Sequence, residues 1–132
     1  MAKTNNTTSD YSSEIIESMK PLSGKEKVRF KDLTASKKLD EEVTEDASLV
    51  VALDNYIKLH VHNPKSENSD YDVMIVVDKA GYSYYTSSET FMRALESIVA
   101  DMQDETEEWG IEVIKKPSSN FKGKFFLTCT VY

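Results

Sequence analysis

One segment of this chain repeats its apolar residues at helical spacing over several turns. In "SETFMRALESIVADMQD", about residues 88 to 104, Phe91, Leu95, Ile98 and Met102 recur three and four residues apart. That is the stripe of a helix packed along one side. Ser87 or Ser88 can cap its start, and Glu89 suits its first turn. On both sides of this helix the period drops to two. In "YIKLHVH", Tyr56, Lys58, His60 and His62 share one face and Ile57, Leu59 and Val61 take the other. Asp54-Asn55, just before it in "SLVVALDNYIKLHVHN", predicts a tight turn or a bulge. "YDVMIVVD", "KAG" and "YSYYT" predict a strand, a glycine-bearing turn and a returning strand. After the helix, "GIEVIKK" and "KFFLTCTVY" are strands joined by a lysine-rich turn. In the second of them Phe125, Leu127, Cys129 and Val131 alternate with Phe126, Thr128, Thr130 and Tyr132.

Three strands, a helix and two strands is the element order of the OB-fold. The sequence therefore predicts a β-rich fold with one helix: a five-stranded Greek-key barrel with the helix between strands 3 and 4. A ferredoxin-like fold would need a second solid helix between its first two strands, and no such pattern is visible. Upstream, Val28 and Phe30 alternate with Lys27, Arg29 and Lys31, the pattern of a short strand, and "TASKKLDEE" suits a helical turn capped by Thr34 or Ser36. Residues 1–22 are polar and low in aliphatics, so they are expected as a flexible tail ahead of a 23–132 domain. Within the tail, "SEIIESM" predicts a short amphipathic turn. Tyr11, Ile15, Ile16 and Met19 make it a candidate for self-association between copies, with residual fraying structure as the other outcome.

The function classes narrow quickly. No run approaches a membrane span and no apolar signal segment opens the chain, so a non-membrane protein is expected. A single cysteine, Cys129, allows no internal bridge and points to a reducing, cytoplasmic setting. His60 and His62 could share a metal only with a third converging ligand, and no third histidine exists, so no metal or cofactor is expected. There is no P-loop, no G-x-S-x-G and no paired acid in an apolar setting. A non-enzyme is the expectation.

Charge carries the functional signal. The chain has a formal net charge of −7, yet residues 113–132 contain Lys115, Lys116, Lys122 and Lys124 and no acid. Residues 101–112 hold Asp101, Asp104, Glu105, Glu107, Glu108 and Glu112 and no base. Such segregation gives an oriented field. Single-stranded nucleic acid needs cations for phosphates and flat rings for bases. Lys115, Lys116, Ser119, Phe121, Lys122 and Lys124 in the turn are candidate contacts; a solvated hairpin with Phe121 folded inward is the alternative. Lys27 and Arg29 either border the same groove or guard an edge strand. Tyr56, Lys58, Tyr82 and Tyr84 are strand-face candidates, the tyrosines as stacking rings.

From about residue 70 onward, "DKAGYSYYT", "SSETFMRALESIVADM", "IEVIKK", "PSSNFKGK" and "FFLTCTVY" follow one another in a pattern that resembles a known family. It is that of the single-stranded-DNA-binding proteins of small Bacillus phages and related Gram-positive mobile elements. The chain is also similar to the OB-fold single-stranded-DNA-binding proteins of enterococcal conjugative plasmids. The resemblance implies a non-catalytic protein that coats single-stranded DNA during phage or plasmid replication or transfer. It carries Lys116, Ser119, Phe121 and Lys122 into that role. RNA, and more weakly double-stranded DNA, are the other candidate ligands. Housekeeping proteins of this kind end in an acidic tail, whereas this chain ends within a predicted strand at Tyr132. Homo-oligomerisation through residues 1–22 is the expected substitute. The rival class is a small acidic interaction module, a DNA-mimic inhibitor of a host nucleic-acid enzyme, in which the acids of 101–112 would carry the binding.

Overall fold

The computed structural model describes residues 11–65, 67–119 and 122–132. Two hydrogen-bonded strands lie at its centre, β4 (Leu53–His62) and β5 (Asp70–Asp78). β5 is buried almost without interruption from Val73 to Val77, so both of its faces are covered. Around this pair a five-stranded sheet forms in the order β1–β4–β5–β6–β2, with β1 at Ser12–Ser18, β6 at Ser83–Thr86 and β2 at Lys37–Lys38. All its pairings are antiparallel except β2 with β6. A second sheet holds β3 (Leu49–Val51), β7 (Ile111–Pro117) and β8 (Phe125–Val131), in the order β3–β7–β8.

The main core lies between the sheets. Tyr56, Met74, Val76 and Tyr84 of the large sheet meet Val51, Ile111, Val113, Leu127 and Cys129 of the small one. The helix α3 (Glu89–Met102) closes this layer with Phe91, Met92 and Leu95. Ser88 caps it by accepting from the Phe91 N–H at 3.3 Å. On the opposite face of the large sheet Ile57, Leu59, Val61, Val73 and Ile75 form a second core, covered by Phe30 of α1 (Gly24–Lys31).

The protein is thus mostly β with one main helix, as the sequence predicts, but the two sheets are not closed into a barrel. Among the described residues eight strands stand where five were expected, and the differences have local causes. Residues 24–31 are a helix, not a strand. Ser23 and Glu26 form a capping box, each side chain bonding the other's backbone N–H at 3.2 and 2.8 Å. The apparent alternation is an accident: Val28 is 74% exposed and Phe30 is buried. The expected turn over 34–42 divides into a single 3-10 turn at Leu33–Ala35, the two-residue β2, and a one-turn helix α2 (Leu39–Glu42). Asp32, rather than Thr34 or Ser36, caps the first of these.

The largest revision is at the front. Ser12–Ser18, expected as tail with a helical turn, is the edge strand β1, paired with β4. Its register slips between Ile15 and Glu17, leaving Ile16 as an extra residue. The extra residue reverses the alternation. Ile15 packs under α1, Ile16 points outward at 53% exposure, and Met19 packs on the opposite face. The three do not form one sticky side. The predicted break at Asp54-Asn55 is a bulge of the same kind, between Leu53 and Asn55.

Gly110 marks where the small sheet begins. A Cβ there would stand 2.5 Å from both the Val51 carbonyl oxygen and the Tyr132 ring. Backbone hydrogen bonds in both directions tie Gly110 to Tyr132. Gly110→Ala is expected to lower stability by about 1–3 kcal/mol through overpacking, read as a lower urea midpoint with an unchanged slope.

Candidate nucleic-acid interface

The β7–β8 hairpin carries Lys115 and Lys116 on its ladder and Lys122 and Lys124 in its turn. Register pairs Lys115 with Leu127, Lys116 with Phe126 and Pro117 with Phe125. The turn is closed by Ser118 N–H donating to the Lys124 carbonyl at 2.8 Å, and Gly123 takes φ +79°, which a glycine adopts freely. Lys116, Ser119, Lys122 and Lys124 are exposed, and among the described residues the three lysines make no ion pair. Lys115 differs: its ammonium donates to the Asp40 carbonyl of α2 at 3.0 Å. Phe121 lies outside the described residues. Phe125, assigned by alternation to the core row, is 48% exposed because it sits at the strand end, beyond the layer that Leu127 and Cys129 fill. Phe126 is half-buried on the other face, beside Lys116.

The tyrosines separate. Tyr56 is 4% exposed and donates its hydroxyl to Glu17 Oε2, so it offers no ring to a base. Burial, and then the Glu17 carboxylate, push that phenol far above its ordinary range. Tyr84 is likewise core. Tyr82 is 59% exposed, and the Lys37 ammonium stands 6.0 Å from its ring centroid. Lys37 pairs with Tyr84 in the β2–β6 ladder, and α2 follows directly. Tyr82 and the contact between Asp40 and Lys115 therefore stand near the two ends of the β6 edge, roughly 13 Å apart along the strand.

Other predicted contacts are not brought together. Lys27 and Arg29 ride on α1, across the large sheet from the hairpin, where Arg29 stacks over Phe30 at 5.3 Å. Lys58 is held by Glu96 of α3 at 3.0 Å, and that hydrogen bond raises its pKa. Of the self-association candidates, Tyr11 and Ile16 are exposed while Ile15 and Met19 pack inward. Lys37 belongs to the basic group of residues 25–38 that the sequence offers as a border of the groove, but its place beside Tyr82 was not foreseen. The signal was faint, because two parallel residues of β2 carry no periodicity.

A groove of about 800 Å³ opens between α3 and the far ends of β4 and β5, lined by Lys58, His60, Asp70, Asp72, Arg93 and Glu96. His60 Nδ1 lies 2.9 Å from Asp72 Oδ1 and its Nε2 3.2 Å from Asp70 Oδ1. His62 Nδ1 is 3.1 Å from that same Asp70 oxygen. Among the described residues no group of three or more ligating side chains could hold a metal ion. Burial pushes the Cys129 thiol up to about 12, which leaves it protonated. No described helix is long and apolar enough to cross a membrane. Comparison with protein families, curated proteins and solved structures finds no match.

The histidine ladder has a pH signature. Hydrogen bonds to Asp72 and then Asp70 raise His60 above its ordinary 6.5, so the stability it contributes is complete below that value and is lost as pH rises through the folded pKa. Bonds from His62 and then His60 lower Asp70 below its ordinary 3.8, so its contribution is present above that value and is lost as pH falls through the folded pKa. Their joint stabilisation is greatest between 3.8 and 6.5. Asp72→Asn is expected to move the His60 NMR titration down toward 6.5 and to flatten the decline in stability above it. An unmoved His60 titration would contradict the ladder.

Proposed function

We propose that this protein binds single-stranded nucleic acid, DNA first, without sequence preference, using the β7–β8 hairpin. The observation that carries this is the hairpin itself. Lys116, Lys122 and Lys124 stand exposed and, among the described residues, without ion pairs, next to the exposed Phe125 ring, in a chain of net charge −7. Lysines there contact phosphates, while Phe125 and Tyr82 offer stacking faces, each stacked base contributing ~1–3 kcal/mol. Lys37, Lys38 and Lys115 connect the two aromatic positions along the β6 edge.

The finer fold reading supports the same site. β3 and β4 are two halves of one bent strand broken at Ala52, and they serve both sheets; the helix follows β6 and the hairpin follows the helix. We read this as an OB-like Greek key left open because β6 and β8 do not pair with each other, and in such a fold the turn between the last two strands flanks the ligand groove. By resemblance, the role is coating single strands in phage or plasmid DNA replication or transfer, by a cytoplasmic, non-catalytic protein. A second reading, an acidic DNA-mimic module, rests on the exposed acids between Asp101 and Glu108.

Fluorescence anisotropy of labelled oligo-dT is the test. Affinity is expected to fall with salt at a log–log slope of about −0.7 per phosphate contacted, and Lys116→Glu with Lys122→Glu to weaken binding and shrink that slope by about 0.7 for each lysine. Both side chains are exposed, so the melting temperature should hold. An absent anisotropy change at low salt and micromolar protein would remove the proposal. Capture of a host protein lost in a Glu107→Lys, Glu108→Lys variant would then favour the acidic module.

A further inference from the structure

We propose that the chain also docks onto a second copy of itself, head to tail, the β7–β8 hairpin of one copy entering the acidic end of the next. The two patches lie at opposite ends of one ladder. β7 runs from Ile111, beside the acids, to Pro117, beside the lysines, a span of roughly 20 Å. From 94 to 114 there is no lysine or arginine, and Asp101, Asp104, Glu105, Glu107 and Glu108 are exposed. From 113 to 132 there is no acid. Each end is thus complementary to the other end of a neighbour and repels its own kind.

The acidic end also holds a receptor. Between β1, β4 and the last turns of α3 is a cavity of about 410 Å³, lined by Met19, Tyr56, Val99, Met102 and Trp109, with Glu105 at its side. The hairpin holds a matching anchor. Phe125 is 48% exposed directly after Lys124, a ring flanked by cation, opposite a cavity flanked by acid. Seating Phe125 would remove apolar surface from water on both partners while the lysines meet Asp104 and Glu107 at the rim. Sites at opposite ends leave one hairpin and one acidic end free after each docking, so the contact is heterologous and adds copies rather than closing on two. This surface goes beyond the nucleic-acid reading and does not require it.

Sedimentation velocity on the full chain reads the outcome. The average mass is expected to rise with concentration past that of a dimer at low salt and to return to monomer at high salt. Lys122→Glu with Lys124→Glu, and separately Asp104→Lys with Glu107→Lys, should each give monomers with unchanged circular dichroism. Mixed one to one, the two variants should associate again, because the intact hairpin of one meets the intact acidic end of the other and the two charge-reversed ends are also opposite in sign. Phe125→Ala should weaken association about tenfold or more, the consequence of leaving one ring unburied. A wild type that stays monomeric, a closed dimer that does not grow, or a mixture that stays monomeric would each overturn the docking. The two proposals fail separately: the Asp104→Lys, Glu107→Lys variant keeps its hairpin, so docking predicts lost self-association with oligo-dT affinity at least retained.

Discussion

The pairing of β4 with β5, whose central part is buried on both faces, is the constraint on which the other elements depend. A strand pair with Ile57, Leu59, Val73 and Ile75 on one side and Tyr56, Met74 and Val76 on the other cannot face water anywhere. It needs two covers, and the chain supplies them from different directions. α1 with Leu22 and Leu33 covers one face, and the small sheet with α3 covers the other. Bulges at Ile16 and Asp54 make this possible, since one extra residue sends the next side chain to the opposite layer.

That double cover decides where ligands can reach. The strand faces are spent on cores, so Tyr56 and Tyr84 are unavailable and Lys58 is held against α3. What remains open is the polar groove at the far ends of β4 and β5, and the periphery: the β2–β6 edge, the β7–β8 hairpin and the acidic end of α3. Charge follows the same geometry. The acids and the lysines that the sequence places in adjacent segments are carried to opposite ends by a single strand, β7. A short ladder thus becomes an oriented dipole, which supports both nucleic-acid contact and head-to-tail association.

Much of the architecture was legible wherever a period persisted. α3, the β5–β6 hairpin and the last two strands lie close to their predicted positions, because a packed face imposes 3.6 or 2 over many residues. The front of the chain was harder. The capping box Ser23-x-x-Glu26 was present in the sequence, yet a chance alternation around Val28 and Phe30 outweighed it. β1 was not legible at all: the spacing of Ile15, Ile16 and Met19 suits a helical face equally well, and only pairing with β4 sends them three ways.

The sequence by itself determined the alternation of β4, the stripe of α3, and the separation of acids at 101–112 from lysines at 113–132. These are local properties, set by which residue follows which. Only the tertiary structure decided that the sheets stay open, that Tyr56 is core while Tyr82 is surface, and that Phe125 stands free at a strand end. The physical reason is that exposure depends on what packs across from a side chain, and residues far apart along the chain supply that.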